Sequence, residues 1–215
     1  MKLLVLGAAG QISKMIERNQ ILETENELVL YARNAAKRMI LLDPERERTV
    51  DGDFLNHSAM TKAMQGVETV YLNDMGDPQA IAMILAIMKE AGVKKIIGAT
   101  VLGIYDEVVG PFGRWNQQMS GDSKLYQDQK DSSKLIEDSG LDYTLLRLTW
   151  LYDEQGNEAY AYTMKGEAFV GAEVTRQGVA RLVSDILVAD DTRFSNQSLG
   201  VYEPGSEEFA KPSFY

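Results

Sequence analysis

The sequence predicts an α/β fold in which a Rossmann-type, doubly wound parallel sheet carries helices on both faces. Three observations support this prediction. An apolar run at residues 3–6 leads into a glycine turn and an amphipathic segment, strand-like and helix-like segments alternate from there to Leu148, and no low-complexity linker interrupts the 215 residues. We therefore expect one domain over residues 1–215, with about residues 148–215 forming its substrate-side region.

Each predicted strand is a short apolar run, and most are followed by a segment with the apolar spacing of a helix. The predicted strands lie at residues 3–6, 27–32, 49–54, 68–73, 94–100, 143–148 and about 199–202. Helices are predicted after the first strand and at residues 34–41, 58–64, 80–89, 123–139 and 176–187. Asn34 is the expected N-cap of the second helix, and Gly92 is expected to end the fourth.

The turn after the first strand has the spacing Gly7-x-x-Gly10-x-x-Ser13, which indicates a dinucleotide site. Such a turn lets backbone approach a pyrophosphate, and the first amides of the following helix favour an anion. Serine replaces the third glycine of the usual pattern, which affects only the packing of helix against strand. The alternative is an ordinary turn between a strand and a helix. The residues assigned to the cofactor here are Gly7, Ala9, Gly10, Gln11 and Ile12.

A basic residue follows the second strand, at a position that selects between two cofactors. NAD-specific sites usually place a carboxylate there to hold the ribose hydroxyls, whereas a cation suits the 2′-phosphate of NADP. This chain has Arg33, and Lys37 and Arg38 follow about one helical turn later. NADP (NADPH) is therefore the predicted cofactor, with NAD less favoured. Incidental charges at the start of a solvated helix are the alternative interpretation.

Further cofactor residues are predicted at the ends of the third and fourth strands, because ligands of such sheets lie beyond the carboxyl ends of the strands. Asp53 is expected to accept a hydrogen bond from the adenine amino group, with Phe54 packed nearby. Asn73 and Gly76 are expected beside the ribose and pyrophosphate, where the glycine would permit close backbone approach.

One tyrosine and one lysine stand four residues apart on the polar helix between the fifth and sixth strands. Tyr126 and Lys130 would share a helix face, and a neighbouring ammonium lowers the pKa of a phenol that exchanges a proton during hydride transfer. Thr100, at the end of the fifth strand, is the candidate hydroxyl for the substrate oxygen. A surface tyrosine on a polar helix is the alternative to this catalytic assignment.

Aromatic residues in the second half of the chain predict a wall beside the nicotinamide. The residues concerned are Phe112, Trp115, Met119, Trp150 and Tyr152. Such a wall would suit a flat conjugated acceptor, although loop packing explains the same cluster equally well. Residues 110–113, which read Gly-Pro-Phe-Gly, form a candidate mobile lid.

Composition excludes several classes of function. The chain has no cysteine and a single histidine, His57, so thiolate catalysis and Cys or His metal sites are not expected. A net charge of −10 disfavours nucleic-acid binding. No signal segment and no apolar run of ~18 residues are found, so we expect a cytoplasmic protein without a membrane partner. A small-molecule substrate and a monomer or weak homodimer are expected.

Several of these motifs in their order resemble a known family. The segments LGAAGQI, LYARN, GDF, KKIIGAT, YxxxK and SGLDYTLLR are similar to the atypical short-chain dehydrogenase/reductases, specifically the NmrA-like NAD(P)H-binding proteins related to flavin and biliverdin reductases. The resemblance runs from Met1 to about Leu187, and residues 139–147 are its most specific part. The chain departs from the family pattern at Ser13, at Leu148 in place of proline, and at the reduced hydroxyl pair Thr100-Val101.

The resemblance implies an NAD(P)H-dependent oxidoreductase that reduces a small carbonyl, quinone or flavin-like acceptor. Many members of the family lack a full catalytic set, and some bind the dinucleotide without turnover. A catalytically silent sensor or regulatory protein is therefore the first alternative. An activity of the sugar-nucleotide epimerase or dehydratase type is the second.

Overall fold

A computed structural model of the chain describes residues 1–121 and 123–215. Its strands are β1 (Lys2–Leu6), β2 (Glu27–Ala32), β3 (Glu47–Asp51), β4 (Thr69–Leu72), β5 (Lys95–Val101), β6 (Asp142–Leu148), β7 (Trp150–Tyr152), β8 (Ala161–Thr163), β9 (Glu173–Thr175) and β10 (Gln197–Tyr202). Its helices are α1 (Gln11–Glu23), α2 (Ala35–Arg38), α3 (His57–Ala63), α4 (Pro78–Ala91), α5 (Gly110–Ser120), α6 (Lys124–Glu137) and α7 (Arg176–Val188).

The strands form a main sheet of eight and a small sheet of two. The main sheet has the order β3-β2-β1-β4-β5-β6-β10-β8, in which only β8 runs antiparallel to its neighbour. The small sheet pairs β7 with β9 in parallel. Because β2 and β4 lie on opposite sides of β1, the strand order reverses there, and this switch point opens the crevice in which such folds bind ligands. The predicted Rossmann-type fold is confirmed.

Alternating side chains of β1 enter two separate cores, one on each face of the sheet. Leu3 and Val5 pack in the cluster that includes α1 and α7, whereas Leu4 and Leu6 pack in the cluster that includes α3 and α4. All four side chains are fully buried. This arrangement explains why β1 is an uninterrupted apolar run, since a central parallel strand is covered on both faces.

The strand register places the ends of β1, β2 and β4 level with one another. Leu6 is paired with Tyr31 on one side and with Leu72 on the other. The residues that follow these strands therefore emerge at one edge of the sheet. The glycine turn, Arg33 and Asn73 are brought together for this reason.

Asn34 is the N-cap of the second helix, as predicted, but another residue supplies the capping hydrogen bonds. Asn34 has a left-handed backbone with φ 55°, and its side chain makes no capping hydrogen bond. The carboxylate of Asp51 accepts hydrogen bonds from the Asn34 and Ala35 amides instead, at 3.3 and 2.9 Å. The helix ends at Arg38 rather than at residue 41, because Met39 adopts an extended backbone.

The candidate lid was also wrongly predicted. Residues 110–113 form the first turn of α5, a helix that the sequence did not predict, and Phe112 on that turn is buried against Leu102 and Phe169. The lid prediction treated glycine and proline as loop residues, whereas a proline in the first turn of a helix is favourable. Over the described residues, no helix is long and apolar enough to cross a membrane.

Candidate functional site

A groove formed by three adjoining cavities runs along the carboxyl ends of the strands. The first, which we call the turn cavity, has a volume of about 410 Å³ and lies over Gly7 and Gly10. A middle cavity of about 290 Å³ shares Asn73 with it. An apolar cavity of about 360 Å³ follows and shares Gln129 and Arg176 with the middle one. The groove therefore offers one continuous path from the glycine turn to an apolar chamber.

The glycine turn is held tightly against β2 and β4. The Gly7 and Ala8 amides both donate to the Tyr31 carbonyl at 3.0 Å, and Gly7 has φ 82°, which favours glycine. A Cβ placed on Gly10 would lie 2.6 Å from the Asn73 Nδ2 and 3.2 Å from the Gly7 carbonyl oxygen. Glycine at position 10 therefore keeps this space open, whereas any other residue would displace Asn73.

Helix α1 begins at this turn and presents its first amides to the groove. Gly10 is the N-cap, without a side-chain cap, and its carbonyl accepts the first helical hydrogen bond from Lys14 at 3.1 Å. Amides of the first turn have no acceptor within a helix, so they and the helix dipole favour an anion here. Gly7, Ala9 and Gly10 line the turn cavity, and Gln11 and Ile12 line the middle cavity.

Asn73 is fixed by a buried tyrosine. The Tyr71 hydroxyl donates to the Asn73 Oδ1 at 3.0 Å, which turns the Nδ2 toward the glycine turn. Burial raises the pKa of Tyr71 above its usual range, so the hydroxyl stays protonated and remains a donor. Asn73 thus presents amide hydrogens at the boundary between the turn cavity and the middle cavity.

Two arginines line the turn cavity at the end of β2. Arg33 and Arg38 are both exposed, and the Arg38 Nη1 donates to the Arg33 carbonyl at 3.3 Å. Lys37, which the sequence had paired with Arg33, does not line any of the three cavities. Helix α2 is a single turn, and of the two basic residues predicted on it Arg38 lies at the groove whereas Lys37 does not.

Asp53 and Phe54 line the turn cavity on the β3 side. The Asp53 Oδ1 accepts a hydrogen bond from the Leu55 amide at 3.0 Å, and its carbonyl oxygen accepts one from the Tyr31 hydroxyl at 2.7 Å. The Phe54 ring stacks on Tyr31 at 6.4 Å between centroids. Burial and the Asp53 and Asp51 charges raise the pKa of Tyr31 to about 12. A flat, polar ring could rest in this corner of the groove.

Gly76 does not line the three cavities. Its amide donates to the Asp74 Oδ1 at 2.9 Å, and a Cβ at this position would lie 3.1 Å from the Leu125 Cδ1. A side chain at Gly76 would therefore press against the Leu125 side chain of helix α6. The predicted contact of Gly76 with a ribose or pyrophosphate has no support in this geometry and stays a prediction.

Thr100 lies in the middle cavity and is bound to a glutamine that the sequence analysis missed. Its buried hydroxyl donates to the Gln129 Oε1 at 3.0 Å and lies 3.2 Å from the Ser133 Oγ. Gln129 spans the middle and apolar cavities, with its Oε1 occupied by Thr100. The Gln129 Nε2 is consequently the group available to hold a ligand oxygen.

Tyr126 and Lys130 are not brought to the same cavity. The Tyr126 hydroxyl lines the apolar cavity and donates to the Gly103 carbonyl, on a turn where Gly103 has φ 86°. Lys130 lines none of the three cavities; its Nζ lies 3.7 Å from the Asp106 Oδ2 and its side chain is 41% exposed. The intervening Gln129 points into the groove instead. The joint catalytic role of the pair therefore lacks geometric support.

The predicted aromatic wall is replaced by an apolar cavity of mixed character. Trp150 lines it, with its Nε1 donating to the Asn116 Oδ1 at 2.8 Å, but Trp115 lies behind Trp150 at 4.9 Å between centroids. Phe112 belongs to the core, and neither Met119 nor Tyr152 lines the cavity. Five aliphatic residues contribute to the lining. They are Val101, Leu102, Leu125, Leu148 and Leu151.

Other groove residues were also missed, among them Thr149 and Arg176. Thr149 follows β6 and Arg176 follows β9, so the rule that ligands lie beyond strand ends identifies both positions once these strands are known. The three-residue β9 carries too short a pattern to be recognised in the sequence. Within residues 1–121 and 123–215, no cluster of three acidic or histidine side chains suits a metal ion.

Comparisons with known proteins agree with this geometry. The model of a family described as NAD(P)H-binding matches residues 7–190. A short-chain dehydrogenase/reductase from Veillonella parvula, solved in complex with NADP, is 30% identical with a TM-score of 0.93, and the match covers 99% of each chain. A Rossmann-fold NAD(P)-binding family protein from Shigella flexneri is also 30% identical, with a TM-score of 0.81, over 100% of this chain and 98% of that one.

A curated relative extends the comparison to a named activity. Quinone oxidoreductase 2 from Escherichia coli is 29% identical over 174 residues, which amount to 78% of this chain. The match spans 55% of the length of that relative.

Proposed function

The chain belongs to the NAD(P)H-binding family, and from that membership we propose that it is an NADPH-dependent reductase of quinone-type acceptors. The observation that carries the proposal is the continuous groove, which joins a glycine turn with free helix amides to an apolar chamber of about 360 Å³. When bound, the dinucleotide would supply a hydride to the acceptor, and a proton from water would complete the hydroquinone.

The residues of the turn cavity fit a dinucleotide phosphate. The space left by Gly10 would allow a phosphate to approach the backbone closely. The first amides of α1 would donate hydrogen bonds to the pyrophosphate. Arg33 and Arg38 supply cations where a 2′-phosphate would be held, and Asn73 would contact the ribose side of the cofactor. The structure of the Veillonella parvula relative in complex with NADP supports the same choice.

The polar groups around the apolar cavity favour a quinone over an aldehyde or ketone. Reduction of a simple carbonyl needs a side-chain acid, because hydride transfer forms a strongly basic alkoxide that must be protonated, whereas the charge on the reduced oxygen of a quinone is delocalised over the aromatic ring. Lys130 stands outside the groove and Tyr126 donates to a backbone carbonyl, so no tyrosine–lysine acid is assembled. Gln129 and Asn116 offer neutral donors for quinone oxygens. The activity in the name of the curated relative supports this acceptor class.

We expect Tyr126→Phe to reduce quinones at a rate within about 3-fold of the parent protein, because the phenol is not required as an acid. Loss of its bond to Gly103 should lower the free energy of unfolding by about 1 kcal/mol. Lys130→Met is the matched control on the same helix. Initial rates of NADPH oxidation with quinones, flavins, aldehydes and ketones provide the measurement.

A drop of 10²- to 10⁴-fold in kcat for Tyr126→Phe would restore the predicted acid role and indicate a carbonyl reductase. Binding of NADPH without oxidation by any of these acceptors would favour the second candidate, a sensor without turnover. The position of Lys130 at the surface is the observation that favours the sensor. The same position leaves little support for an epimerase or dehydratase, which also needs a proton-transfer pair.

The cofactor preference gives a second expected result. NADPH should bind at least ~10-fold tighter than NADH, since one charge-assisted phosphate contact contributes about 1.5–3 kcal/mol. Arg33→Asp should remove this preference, and Arg38→Ala should reduce it, because both side chains line the turn cavity. Lys37→Ala is the matched control and should leave the preference intact. Calorimetric titration of both cofactors provides the measurement. Equal affinities of the parent protein for NADPH and NADH would contradict the assignment.

A further inference from the structure

One residue gives the apolar cavity a single charge. Among the described residues that line it, Arg176 alone is ionisable with a full charge at neutral pH, and the same side chain also lines the middle cavity. It therefore stands at the junction where the two cavities meet, beside Gln129 and Thr149. A lone cation in an apolar chamber acts on a bound ligand more strongly than a cation in open water does.

The local structure does not explain this arginine. Arg176 is the first residue of α7, behind the N-cap Thr175, where the helix dipole disfavours a cation. Its side chain is 22% exposed, so it is mostly removed from water. An arginine at this position thus destabilises the start of the helix slightly. A compensating interaction of its guanidinium must come from a partner outside the helix.

Arg176 forms a weak ion pair with Asp153. Its Nη1 lies 3.1 Å from the Asp153 Oδ1, and in the described part of the chain this is the one ion pair of the guanidinium. Asp153 is 56% exposed and does not line the cavities, so it can be solvated by water instead. A guanidinium has five donors in a planar fork, which leaves donors for an oxygen anion inside the groove.

We propose that Arg176 is an anion subsite of the apolar cavity and selects planar acceptors that carry an ionised oxygen. This inference rests on the proposed function and specifies its substrate class. The apolar lining holds the ring, the Gln129 Nε2 and the Asn116 amide meet neutral oxygens, and Arg176 exchanges Asp153 for the ionised oxygen. Arg176 is thus assigned as a specificity-determining residue, with Asp153 as the competing anion.

Two naphthoquinones of nearly equal size test the proposal by binding alone. At pH 8, 2-hydroxy-1,4-naphthoquinone is ionised, whereas 2-methoxy-1,4-naphthoquinone is neutral. Calorimetric titration of the full chain, with and without saturating NADP⁺, should show at least ~10-fold tighter binding of the ionised compound. The chain contains no cysteine, so addition of a quinone to a thiol does not interfere.

Variants separate the charge of Arg176 from its packing. Arg176→Gln should abolish the preference, Arg176→Lys should retain part of it, and Asp153→Asn should strengthen it by removing the competing carboxylate. Arg193→Gln, at an exposed arginine paired with Asp191, is the matched control and should leave the preference unchanged. Thermal unfolding of each variant verifies that it is folded.

The outcomes separate this inference from the proposed function. Equal binding of the two quinones by the parent, or a preference that survives Arg176→Gln, would overturn the anion subsite while leaving a quinone reductase in place. Binding of neither compound, together with no oxidation of NADPH by quinones, would overturn both. A preference that Arg176→Gln removes and Arg176→Lys partly keeps would support the subsite.

Discussion

Gly10→Val should reduce the affinity for NADP by at least about 10²-fold while the protein stays folded. The valine side chain would enter the space beside Asn73, where a Cβ alone lies 2.6 Å from the Nδ2. It would displace the Asn73 amide and separate the first amides of α1 from the pyrophosphate. Two or more charge-assisted hydrogen bonds of about 1.5–3 kcal/mol each would then be lost.

Calorimetric titration with NADP and circular dichroism of the unliganded protein measure this effect. Gly10→Ala should give a smaller loss, because a single methyl group displaces the flexible Asn73 amide less far than the larger valine side chain does. Ala91→Val, at the exposed end of α4, is a matched control for the added side chain and should bind normally. A folded Gly10→Val variant with parental affinity would show that the turn is not the binding element.

Glu107→Gln should destabilise the protein by about 3–5 kcal/mol, because it leaves the charge of Arg147 buried without an opposite charge. The Arg147 Nη1 lies 2.6 Å from the Glu107 Oε1, and the two side chains are 0% and 5% exposed. Glu107 also accepts hydrogen bonds from the amides of Gly103 and Tyr105, at 2.9 Å each. The variant should therefore loosen the loop whose carbonyl holds Tyr126 at the apolar cavity.

Urea unfolding followed by circular dichroism provides the free energies. The double variant Glu107→Leu with Arg147→Met should recover part of the loss, since replacing both charges with apolar groups leaves no charge unpaired. Asp138→Asn removes an exposed pair with Lys134, whose side chains are 63% and 74% exposed, and should cost no more than about 0.5 kcal/mol. If Glu107→Gln cost as little as Asp138→Asn, the buried pair would not stabilise the loop.

The buried pair also gives a physical account of a sequence motif. Residues 139–147 were the most specific part of the family resemblance, and their last member is Arg147. In the structure this arginine is fully buried, donates to the Ser198 carbonyl at 3.1 Å as well as to Glu107, and lies 5.3 Å from the Tyr105 ring centroid. Its position thus connects β6 with β10 and with the loop after β5.

Sequence patterns predicted those parts of the protein whose residues are close together in the chain. The apolar run of β1, the glycine turn and the amphipathic α1 adjoin one another, so their hydrophobic period and the conformational freedom of Gly7 predict both the fold class and the turn cavity at one end of the groove. Arg33 was predicted at this cavity for the same reason, because it directly follows a strand whose length is readable. Which of Lys37 and Arg38 lies at the groove depended on the single turn of α2 and was not readable.

The tertiary structure alone decided which residues meet at the apolar end of the groove. Gln129 faces the groove because Thr100, 29 residues earlier, holds its Oε1, and Lys130 is turned toward Asp106 by one further residue of helix α6. Arg176 reaches the same place only after β9 pairs with β7. A four-residue spacing places two side chains on one face of a helix, but it does not specify which residues that face contacts. Helix packing and strand order decide those contacts, and both depend on residues far apart in the chain.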